Sequence, residues 1–190
     1  ATRPGELGSV LATVVLKEWA GRNLNEAADW LAGADTRTRN RLSPTFVEAW
    51  ANQDPASALT WCESNLGGSS LAQAVGGALK GAAERDVAGA ARLVTEMNPS
   101  QARAEAASAV AQKWFPDSHS GKPVAPESIA WLSGLDADCV RRVLEQVRWQ
   151  WSNSDPKSMA AFLAYPSGEQ VPVDIYSGLA RDMARKNPSE

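Results

Sequence analysis

The single histidine of this 190-residue chain, His119, lies in the stretch Asp117-Ser118-His119-Ser120-Gly121-Lys122. An acid, two hydroxyls, an imidazole and an amine carry the groups of nucleophilic catalysis. A triad needs a base that reaches the hydroxyl and an acid that orients the base, and immediate sequence neighbours rarely meet that geometry. The cluster reads instead as a polar recognition loop or a solvated turn, and no catalytic residue is expected. A second group is Arg37, Arg39 and Arg41, in the run Thr36-Arg37-Thr38-Arg39-Asn40-Arg41. On a helix Arg37 and Arg41 share a face, and three guanidinium groups can hold a phosphate or a carboxylate. The alternative is a solvated turn. Trp149 is the third candidate. At about 100° per residue it falls on the helix face opposite Val140, off the apolar stripe. It either packs between neighbouring units or stands exposed as an aromatic anchor, a residue type enriched in binding hot spots. Asp117, His119, Lys122, Arg37, Arg39, Arg41 and Trp149 are therefore the candidate partner-binding residues.

Other chemistry has little support. The two cysteines, Cys62 and Cys139, match no zinc spacing and are too few for a disulfide framework. Both read as small buried hydrophobes, too far apart to bridge. There is no phosphate-binding glycine loop, no dinucleotide fingerprint and no His-Glu-x-x-His. No metal site and no cofactor are expected, and an enzyme is not the reading. The net charge of −3 argues against a nucleic-acid partner. No apolar run approaches the roughly 18 residues of a membrane span. With 44% hydrophobic residues the chain can bury a core. Its 8 Trp against 2 Tyr and 3 Phe suggest a packing role that recurs.

That recurrence is visible. Trp50-Ala51-Asn52-Gln53-Asp54-Pro55-Ala56-Ser57-Ala58-Leu59-Thr60-Trp61 aligns without gaps on Trp151-Ser152-Asn153-Ser154-Asp155-Pro156-Lys157-Ser158-Met159-Ala160-Ala161-Phe162. The same frame pairs Trp19 with Trp30 and Ala82 with Leu93. It pairs Trp114 with Trp131 across an insertion at about Phe115 to Val124. The first anchors fall at 19, 50, 82, 114, 151 and 183, with spacings of 31, 32, 32, 37 and 32. Within each unit Asn23, Asp54, Asp86 and Asp155 are placed to cap a second helix. Pro55 and Pro156 follow at the first helical position, where a missing N–H is harmless. Ser43-Pro44 reads as the start of another helix. Val140, Val143, Leu144, Val147 and Trp151 form an apolar stripe on a first helix. The two anchors of a unit are placed to meet across the helix hairpin. Ala27, Ala58, Ala90 and Ser128 are small enough to let its helices approach, and Met159 departs from that pattern. Gly76, Gly77 and Gly81 inside one helix point to close backbone approach. The third unit lacks both aromatics, so it is expected to be the softest.

The Asp-Pro turn before an Ala-containing second helix, in Asp54-Pro55 and Asp155-Pro156, resembles the HEAT turn. The Ala-then-aromatic second helix, Ala58 with Trp61, is similar to tetratricopeptide repeats. The resemblance to this α-solenoid superfamily covers nearly the whole chain. It implies an all-α fold, a right-handed α-solenoid of about five helix-hairpin repeats plus the first helix of a sixth. The expected domain is 1–190, with repeats at about 8–35, 36–67, 68–98, 99–135, 136–166 and a partial 167–190. Because the last copy stops early, a piece of a longer array is expected. Such arrays most often bind a protein or peptide partner. A structural spacer is the alternative, followed by an enzyme or nucleic-acid binder built on a helical array.

Overall fold

The computed structural model describes residues 4–117, 122–164 and Ser177, with side chains from residue 11 onward. The described residues are all-α, without a strand. The helices are α1 (Pro4–Arg22), α2 (Leu24–Gly33), α3 (Thr36–Ala51), α4 (Pro55–Asn65), α5 (Gly68–Arg85), α6 (Val87–Glu96), α7 (Gln101–Trp114), α8 (Pro126–Ser133), α9 (Ala137–Ser154) and α10 (Pro156–Ala164).

The expected caps are in place. Asn23 accepts from the Glu26 amide at 3.3 Å, Asp54 from Ser57 at 3.1 Å, Asp86 from Gly89 at 2.9 Å and Asp155 from Ser158 at 3.1 Å. Each satisfies a backbone N–H that has no partner inside its helix. Three of the odd-numbered helices, α3, α7 and α9, carry side-chain caps that sequence reading missed. Asp35 accepts from the Thr38 amide at 3.0 Å, Ser100 from Arg103 at 3.1 Å and Asp136 from Cys139 at 3.0 Å.

Ser43-Pro44 does not begin a helix, as expected above; it lies inside α3, which starts at Thr36 on the Asp35 cap. The Ser43 hydroxyl donates back to the Arg39 carbonyl at 2.7 Å. Burial of Leu42, Phe46, Val47 and Trp50 holds the helix through the proline. Tertiary packing of one face outweighs a local stop signal.

The odd-numbered helices pack on one another in chain order, α1 on α3, α3 on α5, α5 on α7 and α7 on α9. The even-numbered α2, α4 and α6 each pack against the odd helices before and after them. Consecutive even helices have no comparably close backbone packing. Close approach in the odd row has a specific cause. A Cβ on Gly77 would lie 2.5 Å from the Pro44 carbonyl oxygen, and one on Gly81 would collide with the Glu48 carbonyl oxygen. Gly76 differs, because its Cβ would make ordinary 3.6 Å contact with Glu105. Ion pairs link the last three odd-helix junctions: Lys80–Glu48 at 2.8 Å, Lys113–Glu84 at 2.9 Å, and at the last both Arg142–Glu105 at 3.0 Å and Arg103 with the Asp136 cap at 2.9 Å.

The aromatic anchors meet as the spacing requires. Ring centroids are 6.1 Å apart for Trp19–Trp30, 6.4 Å for Trp50–Trp61, 5.5 Å for Trp114–Trp131 and 5.3 Å for Trp151–Phe162. Pairs at such tilted geometry contribute about 0.5–1.5 kcal/mol beyond their area burial. Ala27, Ala58, Ala90 and Ser128 are buried, and so is Met159. The stripe Val140, Val143, Leu144, Val147 and Trp151 is wholly buried.

Candidate binding groove

Among the described hairpins, that of α5 and α6 is the one without an aromatic pair. Where the others place two rings, it has Ala82, which is buried, and Leu93, which is partly exposed. Two small side chains leave unfilled space beside α6. On one side of Leu93 lies a cleft of about 350 Å³ that Ala51, Pro55, Ala82, Gly89 and Ala90 help to line. On the other side lies a cleft of about 560 Å³, walled by Leu59, Leu71, Val75, Met97 and Ala102. Leu93 is the one lining residue they share, and the two clefts lie along α6, beside α4 and the start of α7, as the two parts of a candidate groove. These volumes fall in the range of ordinary ligand sites, roughly 300–1,000 Å³.

The groove carries charge of one sign at one end. Glu63 and Glu96 are the charged residues of the larger cleft, both exposed and with no ion-pair partner among the described residues. The other end holds Arg85 and Asp86. Arg85 donates to the Asn52 carbonyl at 3.4 Å, and Asp86 caps α6. Gly68, at φ +56°, turns the chain from α4 into α5 at the edge of the larger cleft. Glycine enters that left-handed region without strain.

A third cleft, about 420 Å³, lies between α7 and α9. Its charges satisfy one another. Arg141 meets Asp138 at 3.3 Å and Glu145 at 3.5 Å, while Arg142 meets Glu105 at 3.0 Å and Glu145 at 3.2 Å. Each of these charged side chains is already paired, two arginines with three carboxylates.

The residues singled out from sequence do not converge on the groove. Arg37 and Arg41 are exposed on the first turns of α3. Arg39 turns away from them, and its Nη1 donates to the Ala32 carbonyl at 2.8 Å, closing the C-terminal end of α2. Arg103 does the same two hairpins on, from α7 back to α6. Its Nε donates to the Val94 carbonyl at 3.0 Å and its Nη1 to Asp136 at 2.9 Å, with Nη2 at 3.5 Å from the Thr95 carbonyl. Both arginines stand eleven residues before the first aromatic of their hairpin, 39 before 50 and 103 before 114. A cation at a helix C-terminus meets orphan carbonyls and the negative end of the dipole. Trp149 is 63% exposed on α9, and its carbonyl accepts from Asn153 at 2.6 Å and Ser152 at 3.1 Å. Asp117 and Lys122 are exposed, while His119 lies outside the described residues. The insertion is anchored at both ends. Phe115 and Val124 are buried, and the Phe115 ring lies 5.0 Å from Trp151.

Both cysteines are free and buried. Burial, helped by the Glu63 charge, pushes the Cys62 thiol up to about 12. Burial, with the hydrogen bond and charge of Asp136, pushes Cys139 up to about 12. Neither is a nucleophile at neutral pH, since the thiolate is the reactive form. Among the described residues no cluster of His, Cys, Asp and Glu is placed to hold a metal ion, and no helix is long and apolar enough to cross a membrane.

The groove residues were visible in the sequence only as an irregularity, Ala82 and Leu93 where aromatics stand elsewhere. Comparison with family models, with curated proteins and with solved structures returns no significant match to this chain.

Proposed function

We propose that this chain is a protein- or peptide-binding scaffold built as an α-solenoid, and that its binding site is the groove along α6. The observation that carries the reading is the missing aromatic pair. In the other four hairpins two aromatic rings pack together; at Ala82 and Leu93 that packing is absent and an apolar groove takes its place. The solenoid reading is supported by the successive packing of the odd helices and by the matched roles of Arg39 and Arg103. Stacked hairpins of this kind bury faces that a lone hairpin leaves exposed.

The test is selection of a displayed random-peptide library on the full chain and on Leu93→Trp, which restores the aromatic of the other hairpins. Peptides that bind the parent and lose the variant support the site. Peptides held equally by both place binding elsewhere. If the parent selects none, the reading fails and a structural spacer becomes the better account.

A further inference from the structure

The first hairpin holds most of the large apolar side chains left in solvent. Leu11, Val14 and Val15 on α1 are 62%, 53% and 62% exposed, and Trp30 on α2 is 46% exposed. Among the described residues Trp149 is the one other exposed large hydrophobic. The opposite face of α1 is already covered. Leu16 is buried there, and Ala12, Trp19 and Ala20 pack on the core. A helix that is apolar on both faces is one that is buried on both. We propose that the outer face of α1 and α2 is a docking surface for a further helical hairpin of the same kind, joined ahead of α1 in the polypeptide.

The occupant follows from matched positions. Leu11 stands eight residues before Trp19, and the residues eight before the later first anchors, Leu42, Ala74, Ala106 and Val143, are all buried. Val15 stands four before Trp19, and its counterparts Phe46, Ala78, Val110 and Val147 are all buried. Val14 stands five before, where α5 has Gly77. A Cβ on Gly77 would lie 2.5 Å from the Pro44 carbonyl oxygen of α3, so this position faces the preceding odd-numbered helix. Trp30 behaves alike. Its counterparts Trp61, Leu93 and Trp131 are partly buried and Phe162 is buried. Trp131 reaches back to the hairpin before it, donating to the Ala91 carbonyl of α6 at 3.1 Å. The positions that α1 leaves bare are therefore the ones that later hairpins bury where each odd-numbered helix packs on the one before it.

The same junctions name the source. Each of α3, α5, α7 and α9 follows the preceding hairpin after two to four residues. A tether that short holds a hairpin at an effective concentration that a free partner does not reach. Val14 and Glu18 stand where α5 has Gly77 and Gly81, so the added helix sits farther from α1 than α3 does from α5. The repeat also sets the register. A first anchor belongs 31 or 32 residues ahead of Trp19, with Asp or Asn four residues after it and a second anchor eleven residues after it.

The test begins with the native reading frame, whose residues ahead of Ala1 should carry that pattern. The chain extended by those residues is then compared with the 190-residue chain by hydrogen exchange. The interior of α1 should exchange at least about tenfold more slowly in the extended chain. Leu11→Glu and Val15→Glu probe the face itself. In the 190-residue chain each should shift Tm by no more than about 2 °C, as exposed positions do. In the extended chain each should lower Tm by about 5 °C or more, because the new carboxylate is buried. A frame without the pattern, equal exchange of α1 in both chains, or equal Tm shifts in both overturns the proposal. So does a 190-residue chain whose sedimenting mass doubles with concentration and stays single in Leu11→Glu, since a second copy then covers the face.

Discussion

Arg103 shows how one side chain joins three helices. It is buried, yet its guanidinium reaches the end of α6 and the Asp136 cap of α9. Asp136 thus holds two partners, the Cys139 amide and Arg103. Asp136→Ala should cost about 2–3 kcal/mol, combining a lost cap with an uncompensated buried cation, discounted for the partial exposure of the carboxylate. Asp136→Asn keeps the cap and should cost less than the alanine change. Urea denaturation checks the order, and equal losses would remove Arg103 from the account. The pH dependence has a definite sign. Burial raises the Asp136 carboxyl, but the Cys139 hydrogen bonds and the Arg103 charge outweigh it and hold it below the ordinary 3.8. A folded-state value below the unfolded one stabilises fully above the unfolded value and is lost as pH falls below it. Asp35, Asp54 and Glu84 are lowered as well, so stability should decline as pH drops below about 4. An acid titration followed by circular dichroism reads this, and a midpoint unchanged in Asp136→Asn would remove Asp136 from the transition. The thiols offer a separate check. Native protein should react with a thiol reagent slowly, and unfolded, unreduced protein should yield 2 free thiols.

Helix α5 makes the case for close packing at the scale of elements. Glycine in a helix interior costs up to about 1 kcal/mol relative to alanine, so three of them need a reason. Gly77 and Gly81 have one, the backbone of α3. Gly77→Ala and Gly81→Ala should each destabilise by about 1–3 kcal/mol through overpacking, with Gly81 the worse. Gly76→Ala meets only ordinary contact and should stabilise by about 0.5–1 kcal/mol. Thermal melts of the three variants test this, and a stabilised Gly81→Ala would mean that α3 and α5 lie farther apart. Periodicity marked the glycines for close approach but did not separate Gly76 from the other two. That distinction depends on which neighbour each one faces.

Across the whole molecule the expected softness of the third unit divides in two. Its first helix, α5, is gripped by α3 on one side and α7 on the other. Its second helix, α6, borders the groove. Hydrogen exchange should find the interior of α5 among the slowest segments and α6 faster, following local packing. Rapid exchange throughout α5 would contradict the packing described above. The all-helical fold, the caps of the even-numbered helices and the aromatic closures were legible in the sequence. Each depends on residues separated by three positions or by one hairpin, so local spacing determines them. Ser43-Pro44 misled because a local signal has no force where burial on both sides of it sustains the helix. Arg39 read as a ligand-binding cation for the same reason, since its partner, the Ala32 carbonyl, belongs to the preceding helix. The groove is the clearest case. By itself the sequence determined that Ala82 and Leu93 break the aromatic pattern. Only the tertiary structure decided that the break opens a groove, because its walls come from five successive helices, α3 to α7, and the space between helices is set by how their neighbours hold them apart.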